Sequence, residues 1–295
     1  MASLIYHAGA LGDFITALPA IARWREEHPG EPQVLLGKPE HAAIAPPFDE
    51  TWDIDAGVFS GLFSGSAASD SPLAEKLRPV VSALLFAAPF SPIAAVLERL
   101  GVGEVVRQDP FPASRIHVVD YHLSLFPGGL GGKGRAPRIR IPEPAEERDL
   151  GDVAAIHPGS GSAKKNWPLD RFIELAARLV ERDMRISWVV GPADAGITTV
   201  RQGALSSGEV WKSLPLPVLA ARLGRCRLFV GNDSGVTHLA AAAGCPTVAL
   251  FGESDPRVWA PRGARVKVIG SRNGGMKAIR LEDVFQMCVD LLDEK

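Results

Sequence analysis

Three short segments of this chain hold more small and polar residues than a turn requires. FVGNDSGVTHLAAAAGCPTVALFG runs from Phe229 to Gly252. Apolar runs flank Asn232-Asp233-Ser234-Gly235 there, and His238 follows one turn later. A buried strand that ends in such residues and leads into an alanine-rich helix sets unpaired amides and a positive helix dipole at the strand's end. Phosphate oxygens suit that place, small side chains let them approach, and Ser234 adds a hydroxyl donor. Ser234 and His238 share one helix face by i,i+4 spacing. The competing reading is a plain cap, with Asp233 or Ser234 only starting the helix and His238 an ordinary surface residue.

The second segment, HPGSGSAKKNWP, runs from His157 to Pro168. Gly159, Ser160, Gly161 and Ser162 make a loop rich in amide and hydroxyl donors, and Lys164 and Lys165 add positive charge. The spacing is not that of a Walker A loop, GxxxxGK[ST], although similar physics can bind phosphate. The alternative is a solvent loop anchored by Trp167. The third segment, HAGALGDFITALP, runs from His7 to Pro19. Gly9 and Gly12 allow close approach of a ligand to the backbone. Asp13, the single carboxylate, is either a helix N-cap or a general base that takes a proton from an acceptor hydroxyl.

The elements that must position these segments alternate along the chain. Strands are expected at Leu4–His7, Gln33–Gly37, Thr51–Asp55, Val80–Ala87 and Arg115–Val119, with helices over Phe14–Glu27 and Ile93–Leu100. The second half repeats the pattern. Strands are expected at Val153–Ile156, Ile186–Val190, Glu209–Trp211, Leu228–Gly231, Thr247–Phe251 and Val266–Ile269. Helices are expected over Arg171–Glu181 (capped by Asp170), near Asp194–Leu205, and over Val218–Leu223, Val236–Ala243 and Leu281–Leu292. Non-alternating apolar strands between amphipathic helices indicate parallel sheets covered on both faces. Two such open α/β domains bind ligands beyond the carboxyl ends of their strands. The glycine-rich, basic stretch Pro127–Arg140 reads as the mobile end of the first half, and Pro142–Gly151 as a linker. The expected domains are therefore residues 1–150 and 151–295.

The 295 residues leave room for both domains, and 46% apolar content is ordinary for a globular chain. A formal charge of −2 excludes wholesale binding to nucleic acid. The first half is acidic and the second basic, which makes the second half the better place for a nucleoside diphosphate and the first less suited to a heavily phosphorylated partner. The three cysteines, Cys226, Cys245 and Cys288, lack CxxC spacing and read as buried thiols of a reducing compartment. No signal peptide is evident, because the first residues lack a basic region and Asp13 interrupts the apolar run. The longest apolar run, Pro79–Phe90, is far short of the roughly 20 residues of a membrane span. A cytoplasmic location is expected. Asp53-Ile54-Asp55 is the one DxD-like pair, and it is read as part of a strand with no metal site.

Taken together and in this order, the three segments resemble family 9 of the glycosyltransferases, the ADP-heptose:lipopolysaccharide heptosyltransferases and their relatives. The matching pieces are GALGDFITALPAI, HPGSGSAKKNWPLDRFIELA and FVGNDSGVTHLAAAAGCPTVALFGESDP. The resemblance covers about half the chain, mostly the second domain. It implies a GT-B architecture, two Rossmann-like parallel-sheet domains facing a central cleft, with the donor bound mainly by the second. It implies an inverting transfer of a heptose or related sugar from a nucleotide diphosphate to a sugar hydroxyl, without metal or other cofactor. Asp13 matches the family's proposed base, and Lys165 the lysine on the donor phosphate. Asp233, Ser234, Gly235 and His238 match the donor-binding turn and helix. Gly12, Ser160 and Lys164 join the expected donor contacts. The implied acceptor is a glycan or glycolipid, with peripheral contact at the inner membrane surface. Two other readings stay open: a non-catalytic nucleotide-sugar-binding module, and a GT-B sugar-nucleotide epimerase.

Overall fold

The computed structural model describes residues 1–129, 136–141, 149–194, 208–271 and 275–294. The chain divides into two compact units, Met1–Arg135 and Ala136–Lys295. That division falls ahead of the 150/151 boundary read from composition. Most of the expected linker, residues 142–148, and part of the glycine-rich stretch, residues 130–135, lie outside the described residues.

The first unit is built on β1 (Ala2–His7), β2 (Gln33–Gly37), β3 (Glu50–Asp53), β4 (Val80–Phe86) and β5 (Glu104–Gln108). All neighbouring pairs are parallel, in the order β3-β2-β1-β4-β5. The helices are α1 (Leu11–Glu27), α2 (Pro39–Ala42), α3 (Ser60–Ser64), α4 (Pro72–Leu77), α5 (Ile93–Arg99) and α6 (Val118–Leu123). Every residue of β1 and β2 is buried, as strands covered on both faces require. Leu4, Leu36, Ala83, Leu85, Val96 and Leu97 form the centre of one core on this sheet.

Arg115–Val119 is not a strand. His117 accepts the Val119 amide through Nδ1 at 3.2 Å and starts α6 there. Val118, Val119, His122 and Leu123 are the buried residues, a helical i, i+1, i+4, i+5 face rather than an alternating one. The fifth strand is Glu104–Gln108, half-exposed at the sheet edge, where its mixed sequence gives little apolar signal.

The second unit has β6 (Val153–His157), β7 (Arg185–Val190), β8 (Glu209–Lys212), β9 (Leu228–Asn232), β10 (Thr247–Phe251) and β11 (Val266–Gly270). They form one parallel sheet in the order β11-β10-β9-β6-β7-β8. Its helices include α7 (Leu169–Val180), α8 (Leu216–Leu223), α9 (Gly235–Ala242), α10 (Pro256–Trp259) and α11 (Leu281–Asp293). The expected helix near Asp194–Leu205 lies almost wholly outside the described residues; Pro192–Asp194 is a short 3-10 turn. Helix α7 starts at Leu169 behind Pro168, so Asp170 is not the cap but a first-turn acid that complements the helix dipole. Trp167, Phe172, Leu175, Trp188, Val230 and Leu250 lie in its main core.

Each sheet is wound outward from its first strand, β1 in one and β6 in the other. Chain connections leave those strands in one direction and return on the other side, which opens a crevice at their carboxyl ends. The three segments singled out above follow β1, β6 and β9, and so they lie at those switch points. All three cysteines are free and buried. Among the described residues no helix is long and apolar enough to cross a membrane.

Candidate functional site

The loop after β6 is fixed at both ends. His157 closes the strand with its ring buried, its Nδ1 3.0 Å from the Val189 carbonyl. Trp167, 1% exposed, packs edge-to-face on Phe172 and donates its indole N–H to the Ile279 carbonyl at 3.0 Å. An apolar ring of this size anchors the segment strongly, because its whole face leaves water. Between the anchors the loop braces itself. Ser160 Oγ lies 2.7 Å from both the Ser162 carbonyl and Asn166 Oδ1, and it accepts the Ser162 amide. Ser160 is therefore committed first to loop shape. Gly159 sits against the buried Asp194, and a methyl group there would overlap the carboxylate. Asp194 in turn accepts the Gly191 amide at 2.8 Å and faces His157 Nδ1 at 3.8 Å. Burial holds the His157 imidazole below its ordinary pKa, against the pull of the Val189 carbonyl and the Asp194 charge. Lys164 is exposed on the 3-10 turn Ala163–Lys165.

The turn after β9 meets this loop. Lys165 Nζ lies 2.6 Å from Asp233 Oδ2 across 68 residues of sequence. In the fold the Lys165 side chain is 38% exposed and is paired with an Asp233 carboxylate that is 10% exposed. Ser234 is the N-cap of α9 and accepts the Thr237 amide at 3.4 Å. The cap reading is thus correct for Ser234, and it does not exclude the anion reading. A cap satisfies one first-turn amide, whereas a helix leaves four without intrahelical partners. Ser234, Gly235 and Val236 are only half-buried, so this end of α9 is not sealed under protein. His238 lies one turn along α9 and is 7% exposed, so it is not the surface residue of the competing reading. The two segments thus gather a lysine, the backbone amides of two half-buried residues and a hydroxyl at the end of β9. That is the chemistry of a site for an anion with phosphate-like oxygens.

Asn232, between these parts, received no role from the sequence. It is wholly buried and ties the end of β9 to both ends of the 157–168 segment: Oδ1 accepts the Trp167 amide at 3.0 Å, and Nδ2 donates to the Pro158 carbonyl at 2.9 Å. The available signal was a carboxamide as the last residue of an otherwise apolar strand, where a buried polar group needs partners.

In the first unit Asp13 is the third residue of α1, not its N-cap; Ala10 occupies that position. The Asp13 carboxylate reaches back to accept the Ala10 amide at 3.2 Å, one half of a capping box. Gly9 makes this possible: a Cβ there would come 2.9 Å from His7 Cε1 and 3.2 Å from Asp13 Oδ2. Gly12 precedes Asp13 in the first turn of α1, and both are half-buried. Beneath them His7, His41 and His122 are buried, and their Nδ1 atoms have no hydrogen-bond partner. Burial, then the nearby His41 and His122, pushes His7 down to about 3, so it stays neutral. The expected strand through Asp53-Ile54-Asp55 stops at Asp53, which ends β3 and accepts the Asp55 amide at 3.0 Å, so Asp55 lies in the turn beyond it. Among the described residues no group of three or more His, Cys, Asp or Glu side chains is placed to hold a metal ion.

Two Rossmann-like parallel-sheet domains, one with a lysine and the open end of a helix after β6 and β9 and the other with a carboxylate after β1, define a protein of the GT-B class. Solved structures share this fold over the full chain. One is a family 9 glycosyltransferase from Veillonella parvula, with a TM-score of 0.80, 21% identity, and 100% of this chain and 98% of that one covered. Another is an Escherichia coli heptosyltransferase with ADP, with a TM-score of 0.72, 19% identity, and 99% and 100% covered.

The chain belongs to glycosyltransferase family 9 (heptosyltransferase), whose sequence model matches residues 136–288. It is 35% identical over 104 residues to lipopolysaccharide heptosyltransferase 1 of Pseudomonas aeruginosa, covering 33% of this chain and 28% of that protein. It is 29% identical over 153 residues to lipopolysaccharide heptosyltransferase 2 of Escherichia coli, covering 47% and 42%. The chain thus aligns with less than half the length of either relative.

Proposed function

We propose that this protein is an inverting glycosyltransferase that moves a heptose or a related sugar from a nucleoside diphosphate to a sugar hydroxyl, in the assembly of lipopolysaccharide or another surface glycan. The observation that carries the proposal is the meeting of Lys165, Asp233 and the open end of α9 at the carboxyl ends of β6 and β9, inside the segment that matches the family. The relatives' names support a heptose, and the Escherichia coli structure with ADP supports an adenine nucleotide.

In the proposed reaction Asp13 takes the proton of the acceptor hydroxyl as its oxygen attacks the anomeric carbon. The carbon–oxygen bond to the diphosphate breaks on the opposite face, the nucleoside diphosphate leaves with the electron pair, and the anomeric centre inverts. Positive charge and fixed dipoles aimed at the leaving group stabilise the charge that develops there. Lys165 and the Gly235 and Val236 amides fill this role, with Ser160, Lys164, Ser234 and His238 around them and no metal required. Gly12 leaves room for the sugar at the start of α1. The acceptor is a glycan or glycolipid presented at the inner membrane surface, and the protein works from the cytoplasm.

The test uses purified protein with ADP-heptose and a panel of glycan and glycolipid acceptors. Wild type transfers the sugar, and Asp13→Ala slows turnover by roughly 10²–10⁴-fold, the usual cost of a general base. Lys165→Ala weakens ADP binding by about 10–100-fold, as loss of a charged hydrogen bond implies. Unchanged turnover in Asp13→Ala removes the base from the mechanism. Donor binding without turnover for any acceptor would favour a binding module, and conversion of the donor sugar without acceptor would favour an epimerase.

A further inference from the structure

Asn232 touches three separate parts of the donor site and has no solvent exposure. Its Oδ1 accepts the Trp167 amide at 3.0 Å, two residues after Lys165. Its Nδ2 lies 2.9 Å from the Pro158 carbonyl and 3.3 Å from the Gly159 carbonyl. Its own carbonyl accepts the Thr237 hydroxyl, in the first turns of α9. Next to it, the Asp233 amide bonds to the Leu250 carbonyl at 2.9 Å and keeps this corner in register with β10.

We propose that Asn232 is a positioning residue of the nucleotide site, whose carboxamide fixes the Pro158–Gly159 end of the loop and the turn that carries Lys165 against the end of β9, from which α9 starts. The inference rests on the donor-site reading above. The chemistry of the position requires an acceptor and two donors on one short side chain. Among the amino acids only Asn and Gln carry both, and Gln is a methylene too long for a close-packed corner. An aspartate keeps the acceptor for Trp167 but sets a carboxylate against two carbonyls. The bonds also have an electrostatic effect. Two carbonyl oxygens held inward on Asn232 are two negative dipole ends kept away from a bound diphosphate. Lys165 then meets the anion from a turn whose place is set by the Trp167 amide. Asn232 thus acts on substrate through Lys165 and the loop, and it is not itself a catalytic residue.

The test is a double-mutant cycle on the full chain, read by calorimetry with ADP: wild type, Asn232→Ser, Lys165→Ala and the double variant. The expected result is that each single change weakens ADP at least about tenfold, and that the double is no weaker than the worse single. Lys165 should contribute little once its turn is unfixed. Fold-changes that multiply in the double variant, or an Asn232→Ser protein that binds ADP like wild type, overturn the proposal. Val248→Ala, in the buried centre of β10, is the control for stability alone. It lowers the melting temperature and leaves ADP affinity intact; a loss of affinity matching that of Asn232→Ser would reduce Asn232 to an ordinary core residue. Should Asn232→Ser fail to fold, Asn232→Asp takes its place in the same cycle. A wild-type protein that binds neither ADP nor UDP overturns the donor-site reading, and this inference with it.

Discussion

Acid should unfold the first domain well before carboxylates are titrated, because three of its histidines are buried and neutral. His7, His41 and His122 are each no more than 3% exposed. Burial, followed by the fields of His41 and His122, pushes His7 down to about 3. His41 is pushed to about 4 by burial, then by Lys38, against the opposing charge of Glu40. His122 is pushed to about 4 by burial alone. In the unfolded chain each imidazole binds a proton near pH 6.5. Between that value and pH 4 the unfolded state therefore holds more protons than the folded state. Stability is fully present above pH 6.5 and falls as the pH drops towards 4. At pH 5 each histidine costs about 2 kcal/mol relative to pH 7.5, and the three together about 6 kcal/mol. That is comparable to the whole stability of many domains, roughly 5–15 kcal/mol.

His28 works the other way. Burial lowers it, but the Trp24 carbonyl and Glu104 outweigh burial and raise it, so its share of stability is lost as pH rises. The assay is urea unfolding at pH 7.5, 6 and 5, with hydrogen exchange to locate the domain that opens. His122→Phe, which keeps a ring against Phe86, should recover about 2 kcal/mol of the loss between pH 7.5 and pH 5. If this variant loses as much stability on acidification as wild type, the buried imidazoles are not the cause.

Two other outcomes are open to direct measurement. Gly159→Ala places a methyl group on the Asp194 carboxylate, so the loop must shift; a stability loss of about 1–3 kcal/mol and weaker ADP binding are expected. Unchanged melting temperature and unchanged calorimetric affinity would show that the loop does not depend on this contact. Burial pushes Cys226 and Cys288 up to about 12, and Cys245 upward as well. A chromogenic disulfide reagent at pH 8 should therefore label none of the three thiols in the native protein and all of them in denaturant. Rapid native labelling would place at least one thiol at the surface.

Much of the site was legible because strand, small-residue turn and helix follow one another without interruption. Residues 7–19, 157–168 and 229–252 each carry that pattern. The edge strand β5 was not legible. It is half-exposed, so its residues obey neither the apolar run of a buried strand nor a clean alternation, whereas the β-branched residues of Arg115–Val119 imitate a strand. Asp13 was placed correctly as a helix-start carboxylate, but its bond to Ala10 depends on the room left by Gly9.

The sequence by itself determined two parallel α/β domains and the segments in which small residues and lysines gather, because periodicity and local turn chemistry act over a few residues. Only the tertiary structure decided that Lys165 is paired with Asp233 and that Asn232 holds the loop and the turn together. Those partners are more than 60 residues apart, and β6 and β9 come to lie side by side only through the order of the sheet. A side chain's partner at such a distance is set by strand order and burial, which no local pattern encodes.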